Sequence, residues 1–198
     1  MVSEDTKLEV LHAHYVDSCS SIGSTRSLRD CLFLYILVAV SVMLLEAVAP
    51  VDTDQALARA IGAKLGLGQP IPVAVLGSVL WFGVFGLTIR YYQVVVHMER
   101  QYEYIHALEG QLNPIYNASA FTREGKSYLA NYPWFSKWAT LLYTMAFPLV
   151  LLAVLGGKVL QEFSRPAAIG PRELFDGAAF VGIAVSTGLY LAAVHLRK

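Results

Sequence analysis

Four stretches of this chain are long and apolar enough to cross a bilayer: Cys31–Ala49, Ile71–Ile89, Trp138–Gly157 and Gly177–His195. Each is about 19–20 residues, which at about 1.5 Å per residue matches a hydrocarbon core of about 30 Å. Within them stand one carboxylate, Glu46, and one histidine, His195, and no Lys or Arg. A buried helix of a water-soluble domain rarely runs so far without a charge. Apolar residues make up 56% of the chain and mean hydropathy is +0.50, both high for a soluble domain. The fold class expected is all-α: a polytopic membrane protein with four transmembrane helices and a helical cytoplasmic extension.

The remaining length bounds what else can be present. With 198 residues, four crossings leave no room for a large soluble enzyme domain. A formal net charge of zero gives no global basic footprint for nucleic acid. The layout expected is a cytoplasmic N-terminal helical segment over 1–30, then a transmembrane domain over 31–198 that includes a cytoplasmic helical extension over 92–136. The first apolar run begins too late for a typical signal peptide and reads as a retained helix.

Lys and Arg near the spans set the orientation. Lys7, Arg26, Arg29, Arg90, Arg100, Arg123, Lys126, Lys137, Arg197 and Lys198 fall on the N-terminal side; Arg59, Lys64, Lys158, Arg165 and Arg172 fall on the other. Ten against five places both termini and the Arg90–Lys137 connection in the cytoplasm. Cys19 and Cys31 then lie where thiols stay reduced. Tyr91, Tyr92, Tyr132, Trp134, Phe135 and Trp138 cluster where the second and third helices would meet the inner headgroups. Pro50, Pro70 and Pro72 punctuate the outer ends of the first two helices, Gly156-Gly157 ends the third, and Pro148 predicts a kink within it.

The second helix is expected to continue past the membrane. Tyr91, Val95, Met98, Tyr102, Ile105 and Leu108 recur in steps of four and three, and Glu99, Arg100, Gln101 and Glu103 lie largely off that stripe. The pattern predicts an amphipathic helix ended by Gly110 at C′. Its partner is the N-terminal segment, with Ser3 at the N-cap and Leu8, Leu11, His12, Tyr15 and Val16 on one face. The Asn113–Pro133 connection completes a small cytoplasmic bundle. The outer connection, Asp54–Leu67, has Leu57, Ile61 and Leu65 at helical spacing and predicts a short surface helix.

Few residues carry chemistry. Glu46, one turn before Pro50, is either a headgroup-level residue that reaches water or part of a carboxylate ring at an outer pore mouth. On the fourth helix Ala178, Gly182 and Ser186 form one small-residue ridge; Ala184, Gly188 and Ala192 form another on the opposite face. Such ridges allow close approach of neighbouring helices, within the bundle, between protomers or along a pore wall. Hydroxyls inside the spans are expected to bond their own helix's carbonyls. Arg123 and Lys126, three residues apart beside Tyr128, suit either an anionic or nucleotide ligand or anionic lipid headgroups. His97 and His106 face opposite ways on one helix, and the cysteines have no C-x-x-C spacing, so no metal or other cofactor is expected. There is no G-x-S-x-G, Walker-type loop or H-E-x-x-H, so the chain is not expected to be an enzyme.

The run Glu99-Arg-Gln-Tyr-Glu-Tyr-Ile-His106, followed by Arg123-Glu-Gly-Lys-Ser-Tyr128 and Asn131-Tyr-Pro133, resembles small four-helix bacterial membrane effectors of anti-phage defence, of the Hailong type, encoded beside a nucleotidyltransferase. The resemblance covers about 50 residues, and none of its motifs is catalytic. It implies a homo-oligomeric channel that opens or depolarises the membrane when a nucleotide or oligonucleotide signal changes, with a nucleotidyltransferase as partner. On that expectation Arg100, Arg123, Lys126 and Tyr128 contact the ligand, and Glu46, Gly182, Ser186 and Gly188 serve the pore or helix packing. The competing expectation is a non-conducting scaffold or small transporter subunit whose cytoplasmic helix recruits a partner.

Overall fold

A computed structural model of the chain describes residues 4–48, 50–65, 73–112, 114, 134–164 and 170–195. They form helix α1 (Glu4–Val48), α2 (Pro50–Leu65), α3 (Val73–Leu112) and α4 (Trp134–Leu141), a π turn (Leu142–Ala146), α5 (Phe147–Phe163) and α6 (Pro171–His195). Among the described residues there is no strand, and four helical stretches are long and apolar enough to cross a membrane: Thr6–Val48, Gly77–Leu112, Trp138–Phe163 and Pro171–Val194. The chain is an all-α, multi-pass membrane protein.

Several element ends differ from the sequence expectation. The N-terminal segment and the first crossing form one helix of 45 residues, because nothing between Ser18 and Cys31 breaks it: Gly23 is tolerated in an otherwise helix-compatible run. α3 runs through Gly110 to Leu112, since Gln111 and Leu112 can continue the helix and Leu112 is fully buried. α5 runs through Gly156-Gly157 to Phe163, because the apolar run resumes at Val159-Leu160 and Gly156 packs beneath the Phe180 ring. α6 begins six residues before Gly177. Pro171 occupies its first position, and the Gly170 amide donates to the Glu173 carboxylate at 2.9 Å, a capping-box contact. The expected surface helix after the first crossing is present as α2, and Pro50 opens it. Pro148 lacks the N–H that would return to the Thr144 carbonyl, and the helix widens into the π turn immediately before it. Ser3 and residues 115–133 lie outside the described residues.

The chain divides into two compact units: residues 1–31 with 93–143, and residues 32–92 with 144–198. In the first unit α1 and α3 lie antiparallel. Tyr15, Ile22, Ile105, Leu108 and Leu112 form its buried centre, with Leu8, Leu11, Cys19 and Tyr102 packed around them. The amphipathic stripe of α3 is thus covered by α1. On α1 the buried face is Leu8, Leu11, Tyr15, Cys19 and Ile22; His12 and Val16, expected on it, are exposed. Polar contacts fix the register: Tyr15 donates to Glu109 at 3.4 Å, Gln101 to Ser21 at 2.9 Å and Arg26 to Tyr102 at 2.6 Å. Arg29 lies 5.1 Å over the Tyr143 ring.

In the second unit α1 and α5 run one way and α3 and α6 the other. Two levels of contacts fix this. At one level Phe147 meets Phe33 and Tyr91 edge-on at centroid distances of 4.7 and 5.3 Å, and Tyr92 stacks on Tyr190 at 4.3 Å. Tyr91 and Tyr92 are therefore core residues rather than members of a headgroup belt, because their rings fill the space between helices; Trp134, Phe135 and Trp138 are exposed. Ile36, Met43, Trp81, Val84, Leu155 and Ile183 are wholly inaccessible between the levels. The outward faces carry Leu34, Val38, Leu45, Phe82, Val150, Leu160, Val185 and Leu189, all exposed. An exterior as apolar as this reverses the pattern of a water-soluble domain and suits hydrocarbon.

Candidate functional site

At the second contact level of the membrane unit, five charged side chains form an unbroken line of alternating sign. Glu46 comes from the last turn of α1, Lys158 and Glu162 from the last turns of α5, and Arg172 and Asp176 from the first turns of α6. Lys158 Nζ donates to Glu46 Oε2 at 2.9 Å and pairs with Glu162 Oε1 at 3.4 Å. Arg172 Nη2 donates to Glu46 Oε1 at 3.4 Å, and its Nε stands 3.6 Å from Asp176 Oδ2. The order is Glu162, Lys158, Glu46, Arg172, Asp176. Two of the links are i,i+4 pairs within one helix and two join different helices.

The cluster is buried except at Arg172, whose side chain is 35% exposed. The Lys158 and Glu46 side chains are 6% and 11% exposed, and Asp176 is 1% exposed. Charges this buried persist only when paired and hydrogen-bonded. α3 contributes space: a Cβ at Gly77 would collide with the Arg172 guanidinium and reach within 3.4 Å of Glu46 Oε1. Ser78 lies beside Asp176. Gln161 Nε2 also donates to the Ala47 carbonyl at 3.2 Å, satisfying one of the acceptors left over at the end of α1. The ends of α1, α5 and α6, and the first turns of α3, are therefore fastened at one place.

Glu46 is held between two cations of its own chain, Lys158 and Arg172. Lys158 and Arg172 lie on helices rather than in the connection between the third and fourth spans, because α5 runs past Gly156-Gly157 and α6 begins at Pro171. The i,i+4 spacings Lys158/Glu162 and Arg172/Asp176 were the available signal, since they have that meaning only on helices.

The remaining expected site residues fall in separate places. Gly182 faces α3: a Cβ there would stand 2.7 Å from the Phe85 ring, so this ridge serves packing within the chain. Ser186 donates to the Gly182 carbonyl at 2.7 Å, and Ser41 and Thr187 likewise bond carbonyls one turn back, as expected of them, whereas the buried Thr88 hydroxyl finds no partner among the described residues. Gly188 is exposed, with open space where a Cβ would stand. Arg100 is exposed on α3, within the first unit. Arg123, Lys126 and Tyr128 lie outside the described residues. Among the described residues no group of three His, Cys, Asp or Glu side chains is placed to hold a metal ion.

A second polar feature lies at the aromatic level. The Tyr92 hydroxyl and Thr187 Oγ1 are 2.8 Å apart; because Thr187 donates to the Ile183 carbonyl, Tyr92 is the donor between them. This bond joins α3 to α6. No known protein family, characterised protein or solved structure matches this chain.

Proposed function

We propose that the protein is a homo-oligomeric membrane effector, a ligand-gated channel that opens or depolarises a bacterial inner membrane in anti-phage defence, with both termini in the cytoplasm. One observation carries this reading. α1 and α3, which pair to form the polar unit, are also the helices that bring Glu46 and Gly77 to the charge cluster. A signal that shifts α1 against α3 acts on two helices that also supply the charge cluster, and shear of packed helices is a device of switching proteins. The signal proposed is a nucleotide or oligonucleotide supplied by a nucleotidyltransferase, contacted by Arg100, Arg123 and Lys126 with Tyr128 as aromatic platform.

Two features support the finer points. Gly83, Gly86 and Gly188 are exposed, with nothing within 4 Å of a Cβ at each, so α3 and α6 keep open faces on which a second copy can approach closely. The apolar stripe of α3 is already covered by α1, which removes the surface that a scaffold recruiting a partner through that stripe would need.

The test is ion flux from liposomes holding the full chain, with and without nucleotides and short oligonucleotides. Flux altered by one of them, and insensitive to it after joint neutralisation of Arg100, Arg123 and Lys126, is the outcome expected. A folded, inserted protein that conducts under no condition would favour the non-conducting scaffold.

A further inference from the structure

The line of five charges does not balance. Three carboxylates face two cations, so the cluster carries one excess negative charge if every member is ionised. Both ends of the line are carboxylates, and each end keeps a buried oxygen without a hydrogen-bond partner among the described residues: Glu162 Oε2 and Asp176 Oδ1. An uncompensated charge in a membrane unit costs several kcal/mol, and a buried carboxylate meets that cost by taking a proton or a cation. Among the described residues no group of three His, Cys, Asp or Glu side chains is placed to hold a metal ion, whereas one proton makes the line of five neutral. The two ends are not equivalent. Asp176 is 1% exposed and holds its one ion-pair contact at 3.6 Å, while the Glu162 side chain is 14% exposed and sits 3.4 Å from Lys158.

We infer that the cluster is a proton-binding site, in which Asp176 takes up one proton and thereby sets how firmly the ends of α1, α5 and α6 are held together. The groups facing it are Arg172 on its own helix, Ser78 on α3, Glu162 and Lys158 on α5 and, through Arg172, Glu46 on α1. With the proton in place, Lys158 and Arg172 are matched by Glu46 and Glu162, and the bundle end is neutral. When the proton leaves, the excess charge repels within the cluster and the fastening weakens. The membrane unit therefore responds to the proton concentration on the side that reaches this end. The inference stands apart from whether the protein conducts.

The sign follows from linkage. A folded state that binds a proton the unfolded chain has released loses stability as pH rises through the site's titration. The full chain is reconstituted in phosphatidylcholine liposomes, and infrared difference spectra are recorded over a range of rising pH. The expected result is the carbonyl stretch of a protonated carboxyl group at the acidic end, fading as pH rises, amounting to one proton per chain and lost in Asp176→Asn. The same substitution removes about 4 °C of the fall in Tm over that range, a shift of the size one stability increment produces. The inference is overturned if the wild-type chain shows no such band or if the band survives unchanged in Asp176→Asn. It is equally overturned if replacing sodium and potassium by choline shifts Tm as far as the proton does, which would assign the site to a metal cation. Because the wild-type spectrum alone tests for the proton, a failure of the variant to fold does not protect the idea.

Discussion

Lys158 illustrates what one residue decides in this protein. Deleting its ammonium leaves Glu46 paired with Arg172 and takes from Glu162 its ion-pair partner. Breaking such a pair is far more damaging than never having built it. Lys158→Met keeps the stem and removes the charge; the expected loss is about 3 kcal/mol of stability, read from thermal unfolding in detergent. Pairing it with Glu46→Gln should cost less than the sum of the two single changes, because the second removes a charge that the first deprives of one partner. An additive double mutant would mean that Lys158 and Glu46 do not interact. The small residues are specific in the same way. Gly77 leaves room for a guanidinium and Gly182 for a phenyl ring, whereas Gly188 leaves room for nothing within its own chain. All three look alike in the sequence.

At the scale of elements, the continuity of α1 and α3 is the main finding. At 45 and 40 residues these helices are about 68 and 60 Å long, roughly twice the hydrocarbon thickness. For α3 the length was legible, because its stripe keeps one phase from Tyr91 to Leu108. For α1 it was not: the polar residues from Asp17 to Asp30 resemble a linker in composition, and only their pairing with α3 shows why they remain helical. Ser27 lies in this stretch and is exposed, so replacing it tests the backbone with little disturbance of packing. Ser27→Pro should cost about 3 kcal/mol or more and lower helicity by circular dichroism, with Ser27→Ala neutral or slightly stabilising. Tolerance of proline there would mean that the helix is broken in solution.

For the whole molecule the open question is orientation, and the excess of Lys and Arg on the N-terminal side makes a definite prediction. In a chain lacking both native cysteines, Lys64→Cys at the end of α2 should react with a membrane-impermeant maleimide on intact cells. A chain with Cys19 and Cys31 only should react after permeabilisation. The reverse pattern would place the polar unit outside, and with it any ligand-binding role for Arg100.

Three properties of this chain were legible in its amino-acid order: that it is all-α, that four of its helices are long and apolar enough to cross a membrane, and that α3 carries an amphipathic stripe needing cover. Those properties are local: they depend on runs of about twenty apolar side chains and on a period of 3.6, both readable from neighbours in the chain. Helix packing alone brings Glu46 between Lys158 and Arg172, 112 and 126 residues away, ends the line of charges on carboxylate oxygens unpartnered among the described residues, and puts Tyr91 and Tyr92 in the core. A charge near a helix end has the same sequence signature whether it meets water, lipid headgroups or another helix. Which of these it meets is set by helix packing, and the energy of the charge changes by several kcal/mol with that choice.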